Sequence, residues 1–569
     1  MDRTCATLRP DSSCPTDLKC KMPNAERRRA AEFQGRRSTV WIRAAHCSTL
    51  LGLLLAAGFG ASAQTSAPEL FARGLTALHH FEYEDANAAF VQAREVDPAF
   101  VLAYWGEALT YYQPLWRNEN VEAGRQALAR LGPTSAARAA ATVNARDRDK
   151  ELLGTAEILF GEDNAATRHR RYREAMANVA AHFPRDPDVV SLYALALLGS
   201  TSRSLIGTSD PQVDGLAGSG LQKEVAALLQ RVLDANPQHP GALHYLLHTY
   251  DDPAHAAMAL PAAKTYASIA GKASHALHMP AHIFLQLGRW QEAAASDRAA
   301  YDASVEWVER KHSPATLRNY HALGWLQYEL LQLGRYREAR DTIQQLAPVA
   351  SSAQTSDSHN GAHQPLLSDL SSMRARYVVE TRQWQAMAGV TTFGNVNDLF
   401  AIGMAAAYSR NVDAARTVRQ TLAARSQAPE EGDMRPAIAI MEREMAALIA
   451  RANGAGGEAL EILSGAARDE QALPPPLGLP APIKPAAELL GEVLLEAGRG
   501  REAYDAFEAV LKRHPNRSLA VLGQARAAVQ LGNVATARRH YQQVLRNFSR
   551  ADANLPEVLE ARSAVIVKK

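Results

Sequence analysis

The residues best suited to chemistry are histidines, and they crowd between positions 239 and 282. His244 and His248 are four apart, and so are His278 and His282. His275 lies three before His278, and His255 falls between the groups. On a helix, residues four apart share a face, so each pair can act together. Three readings follow. Neutral imidazoles bind zinc, copper or nickel, with Asp251 or Asp252 completing the shell. The same rings suit recognition of a peptide or small ligand, where histidine hydrogen-bonds and tryptophan stacks. The structural reading has them satisfying backbone groups and packing between helices.

Other chemistry is thinly represented. There is no G-x-S-x-G elbow, no G-x-x-x-x-G-K-[ST] phosphate loop, no G-x-G-x-x-G in strand–helix context and no H-E-x-x-H pair. Carboxylates are spread along helical patterns beside arginines, as solvated faces are. No basic run interleaved with aromatics supports nucleic-acid binding. Binding is therefore the expected activity, ahead of catalysis.

The elements that must position the histidines are helical. The chain has 569 residues, 47% of them hydrophobic and 21% charged, which is enough for a large core. Ala, Leu, Arg, Glu and Gln dominate, a usage that favours helix. A repeat is visible near the C-terminus, where Gly498 and Gly532 are 34 residues apart. Ala503, Phe507 and Val510 follow the first, and Ala537, Tyr541 and Val544 follow the second at matching offsets. Small residues let paired helices approach, glycine supplies the turn, and Pro515 stops the second helix. The pattern recurs at Ala86, Phe90, Ala93 and Pro98. It recurs again at Leu229, Val232 and Pro237, after Gly288 and Gly334, and more weakly around Gly403 and Ala447.

These offsets resemble the tetratricopeptide repeat (TPR). The resemblance covers most of residues 67 to 548 and implies an all-α fold, an α-solenoid of about eight to ten helix-turn-helix units. It also implies a groove lined by positions 2, 5 and 9 of each first helix. Counted back from Gly288, His275, His278 and His282 take those positions. Counted from Pro240, His244 and His248 take positions 5 and 9, with Asp251 at 12. His321 falls at position 2 of the following unit, and Trp105 at position 5 of the unit beginning at Val101. Both histidine pairs should then face one groove. Pro280 complicates this. Either its helix begins near Met279, leaving His275 and His278 outside it, or the helix is kinked. The segments His275–Phe284, Ala103–Ala108 and the proline-rich lead-in to Lys484 and Pro485 resemble a group of exported bacterial TPR proteins. That likeness carries no catalytic assignment.

The first 63 residues differ from the rest. They hold all four cysteines, 10 of the 62 Lys+Arg and only 5 of the 60 Asp+Glu. Arg36, Arg37 and Arg43 precede an apolar run from Leu50 to Ala57, and Ala61-Ser62-Ala63 follows, as in a cleaved secretory signal. The run is too short for a confident span, so no stable membrane anchor is expected after cleavage. The mature chain would begin at Gln64, lack cysteine and be periplasmic or secreted.

The expected organisation is an extension and signal over 1–63, then a TPR-like array with the histidine-rich groove over 64–349. A linker at 350–365, degenerate TPR-like helices at 366–472, a linker with six prolines at 473–485, and a C-terminal TPR pair with tail at 486–569 complete it. A further loop is expected at 199–220. The expected function is binding of a protein, peptide or small molecule through Trp105, His244, His248, His275, His278, His282 and His321, with no cofactor. The alternative is a metal-binding protein or metal-dependent enzyme, with a divalent transition metal on His244, His248, His278, His282 and Asp251.

Overall fold

The computed structural model describes residues 65–200, 219–353, 366–387 and 389–566. The expected signal over 1–63, most of the expected 199–220 loop and most of the expected 350–365 linker lie outside the described residues. Thr65–Lys569 forms one compact unit. Among the described residues it holds 25 α-helices, three short 3-10 helices and one two-stranded hairpin, Tyr112–Gln113 with Asn118–Glu119. The fold is thus an all-α solenoid of paired helices. The helices outnumber the expected eight to ten pairs. Part of the excess is short, such as Val121–Ala129 and Ser135–Ala141, in a stretch where no repeat pattern is present.

Local signals account for the helix ends. The Ser66 hydroxyl accepts from the Glu69 N–H, and the Glu69 carboxylate accepts from the Ser66 N–H at 2.8 Å, which closes a capping box. Pro187 and Pro240 each open a helix where no N–H partner is needed. The turn glycines Gly288, Gly334, Gly498 and Gly532 all have φ between +63° and +73°, the left-handed region that glycine enters without strain.

The pairing of helices rests on a wedge. Phe507, on Gly500–Arg513, is 1% exposed and lies between Gly491 and Gly523, which belong to the flanking helices Ala486–Glu496 and Ser518–Gln530. A Cβ on Gly491 would come within 2.7 Å of the ring, and one on Gly523 within 2.3 Å. Phe90 sits in the same way between Gly74 and Gly106, at 2.7 and 2.6 Å. The sequence spacing of the two wedges is identical. Bare backbone on two first helices therefore receives one aromatic ring from the second helix between them.

The array is closed by contacts distant in sequence. The Trp290 indole N–H donates to Asn516 O at 2.8 Å, the Asn516 side chain donates to Gly288 O at 2.8 Å, and the Asp552 N–H donates to Gly334 O at 2.9 Å. Arg517, fully buried, reaches Glu488 at 2.6 Å, Glu380 at 2.6 Å and the Tyr328 hydroxyl at 3.2 Å. Lys484 joins Glu488 at 2.7 Å. The proline-rich segment is part of this packing: Ile483 and Lys484 are buried, and Gly478 lies against Trp325. Arg513 donates to Leu473 O and Pro474 O, and the Glu470 carboxylate accepts from the Ala486 N–H at 2.8 Å.

Two stability changes follow. Gly523→Ala is expected to destabilise the chain by roughly 1–3 kcal/mol, because overpacking against Phe507 outweighs the gain in helix propensity. Gly154→Ala, where the new methyl meets nothing within 4 Å, should be neutral or stabilising by up to about 1 kcal/mol. Urea unfolding of both variants separates these outcomes. Burial pushes the Glu470 carboxyl up to about 7. The folded chain therefore keeps a proton that the unfolded chain loses above its ordinary value near 4.5, and stability falls as pH rises through that interval. Glu470→Gln should remove this loss. It should be more stable than the parent by about 1–3 kcal/mol at pH 8 and gain nothing at pH 4, as read from melting curves across pH.

Candidate functional site

The histidines come from three first helices, Pro240–Thr249, Ser274–Gln286 and Tyr320–Gln332. Ser274–Gln286 runs continuously through Pro280, so a start at Met279 is ruled out and His275 and His278 are both helical. The two pairs do not merge into one group of four. They form two sets of three, each completed from the next helix. His244 and His248 take His275, and His278 and His282 take His321. Within each set, one ring nitrogen per residue lies within 4.8 Å of the others. In repeat terms, positions 5 and 9 of one unit meet position 2 of the next, twice in succession.

In the second set, the His278 and His282 Nε2 atoms are 2.9 Å apart. The His282 Nδ1–H donates to Asp251 at 2.9 Å, and the His278 Nδ1–H donates to Asp297. Asp251 thus orients a histidine from the far side of its ring, and stands outside the set of nitrogens it was expected to complete. Asp297 is fully buried beside Glu329, also fully buried. Burial, and then the Asp297 charge, pushes the Glu329 carboxyl well above its ordinary range. Burial likewise pushes the Asp297 carboxyl up, and its Oδ1 faces the His278 Nδ1 as the acceptor of that ring's hydrogen. With both Nδ1 hydrogens fixed in this way, both Nε2 atoms present lone pairs to each other. Burial, and then the neighbouring imidazole, also holds His278 well below its usual range, which keeps the ring neutral. His321 is exposed, and Trp325 lines the set with its ring 4.4 Å from His282 and 5.1 Å from His278.

In the first set, the His244 and His248 Nε2 atoms are 3.2 Å apart. The His244 Nδ1–H donates to the His79 carbonyl at 2.6 Å. The His275 Nε2 is buried and meets no hydrogen-bond partner. Phe81 packs 4.3 Å from the His244 ring, and Trp116 packs 5.0 Å from His275. Trp116 is carried there by the turn of the small β-hairpin and stays 43% exposed. Burial, and then the His275 charge, holds His244 well below its usual range.

A third cluster, His79, Asp188 and His239, is close in space but differently wired. The His239 Nδ1 accepts from the Ala242 N–H as the cap of its helix, so its Nε2 carries the hydrogen donated to Asp188 at 3.1 Å. His79 bridges Asp188 at 2.9 Å and the Tyr245 hydroxyl at 2.9 Å. Its nitrogens are already spoken for, which makes it a structural network. Asp252 accepts from the Gln222 side chain and from the backbone N–H groups of Ala254 and His255.

Trp105 does not join the groove residues. It is 1% exposed, because every residue of its helix, Val101–Leu109, is buried, and it packs against Phe71 at 6.4 Å. The partners missed in the sequence are Asp297, Glu329, Phe81, Trp116 and Trp325. Trp325, four residues after His321, had a readable signal. The others are supplied by helices and a hairpin with no distinguishing pattern.

Comparison with known proteins is consistent with the fold and silent on the site. Residues 494–554 match the family model of the tetratricopeptide repeat, the repeat type that the sequence offsets resemble. No curated protein matches it. Yeast Tom70 aligns with 12% identity over 88% of this chain and 95% of that one, at a TM-score of 0.28. The TPR domain of P58(IPK) aligns with 12% identity over 88% and 97%, at 0.21. No described helix is long and apolar enough to cross a membrane.

The wiring of the third cluster predicts a purely structural phenotype. His239→Ala should lower stability by about 1–2 kcal/mol through loss of the cap and its buried hydrogen bond. Zinc uptake, measured by calorimetry beside the melting curves, should be unchanged.

Proposed function

We propose that the chain is a TPR protein that binds a divalent transition metal on His278, His282 and His321. The observation that carries this reading is the facing pair of Nε2 lone pairs, each enforced by a carboxylate on the opposite side of its ring. Two lone pairs at that distance repel unless a cation lies between them. Carboxylate behind histidine is also the arrangement that orients metal-bound imidazoles and raises their basicity. Tetrahedral coordination at ordinary zinc–nitrogen lengths puts two ligand nitrogens about 3.3 Å apart, close to what the pair has. Three imidazoles leave the fourth position to water or an incoming ligand, on the side where His321 is exposed. The arginine-rich, apolar and small-residue leader supports a periplasmic or secreted setting. A chain cleaved after Ala63 has no thiolate to offer, and imidazole is then its natural ligand for such metals.

Binding of a protein or peptide is a second reading, supported by the repeat type. The contacts of Gln286, Trp325, Tyr328 and Gln332 with residues 476–518 count against it on this stretch, since the chain itself covers these side chains.

Calorimetry with zinc on the full mature chain, after chelator treatment, tests the proposal. The parent should bind zinc, and His282→Ala should weaken that affinity at least about 100-fold, as loss of a ligand does. No uptake by the parent, or equal uptake by the variant, would leave the close pair as an imidazole sharing a proton and sink the metal reading.

A further inference from the structure

The first histidine set has no role in a one-metal reading, yet it repeats the same construction. His244 is fully buried and His248 nearly so, at 4% exposure. The His244 Nδ1 hydrogen is held by a carbonyl, which can only accept, so its Nε2 presents a lone pair. The facing His248 Nε2 lies 3.2 Å away, near the separation expected of two nitrogens on one tetrahedral ion. The third nitrogen, His275 Nε2, is buried with no hydrogen-bond partner. An unpaired ring nitrogen in such a place is costly unless something binds it.

The two sets are also joined. His275 and His278 stand one turn apart on helix Ser274–Gln286, so each set draws on the same helix. Asp251, three residues after His248, holds the Nδ1 of His282 in the other set. The His244 and His248 helix supplies two ligands of one set, and Asp251, just past its end, is the orienting carboxylate of the other.

From this we infer that His244, His248 and His275 form a second divalent transition-metal site, so that the chain carries a pair of ions on neighbouring helical turns. The inference rests on the proposed site at His278, His282 and His321 and extends it to a two-metal centre. The two positions differ in access. The first lies under Phe81 and Trp116, and the second is open at His321. The enclosed ion is the slowly exchanging one, and the open ion is the one that meets external ligands. Two ions clamped close together favour oxygen-bearing anions that can bridge them, such as a carboxylate or phosphate ester.

The test is the number of metal ions bound by the full mature chain. Zinc titration with metal analysis should give two ions for the parent, one for His275→Ala and one for His321→Ala. His275→Gln, which keeps a polar group of similar reach, guards against a folding defect and should also bind one ion. Copper(II) loaded to saturation adds a distance readout. Electron paramagnetic resonance should report coupled spins in the parent and an isolated copper signal in each single variant. One ion in the parent, with uptake unchanged by His275→Ala and His275→Gln, would overturn the second site and leave the proposed function standing. No ion in the parent would remove both. Two ions with uncoupled spins would overturn the paired arrangement.

Discussion

Close approach of helices is the constraint on which this structure depends. Phe507 and Phe90 each fill a space that exists only because the facing residues are glycine. A methyl group at any of these four positions would overlap an aromatic ring held on several sides. The wedge sets the spacing between successive first helices. That spacing decides which side chains of one helix can reach those of the next. Across the histidine-bearing helices, a ring at position 2 of one unit meets rings at positions 5 and 9 of the unit before it.

The carboxylates behind the rings give the histidines their direction. Asp297 comes from the second helix of a pair, Trp290–Lys311, and Asp251 from just beyond a first helix. Neither touches the Nε2 atoms. Each determines which nitrogen of its histidine is protonated and therefore which one faces inward. The contrast with His79 and His239 is instructive. There an aspartate sits directly between the rings, and the ring nitrogens are used up in hydrogen bonds. Similar residues in similar proximity produce a bracing network in one case and converging donors in the other.

The repeat was legible because its signals are local. The turn glycines at 288, 334, 498 and 532, with the small and large apolar residues after them, follow from spacing alone. The histidine pairs were legible for the same reason, since residues four apart on a helix must share a face. Their division into two sets was not, because it depends on the distance between helices, which the sequence does not encode locally. The place of Asp251 followed from the same limit: proximity in register suggested a ligand, and geometry made it an orienting group. Trp105 was misplaced because position 5 was assumed to face a groove, whereas its helix is short and covered on all sides. The β-hairpin that brings Trp116 to His275 has two-residue strands, too short to leave an alternating pattern.

An open solenoid gains its stability from neighbours in sequence and can lose its ends one unit at a time. This chain is not free to do so. The Trp290–Asn516 hydrogen bond joins residues 226 apart, and the Arg517 cluster ties the last repeats to helices near the middle. Such contacts form only after a long stretch of chain has been ordered, which slows folding. Once formed, they link the fate of the terminal repeats to that of the centre. Loss of the C-terminal repeats then requires breaking contacts with the central helices, and a protease finds a less frayed C-terminal end than an open array would offer.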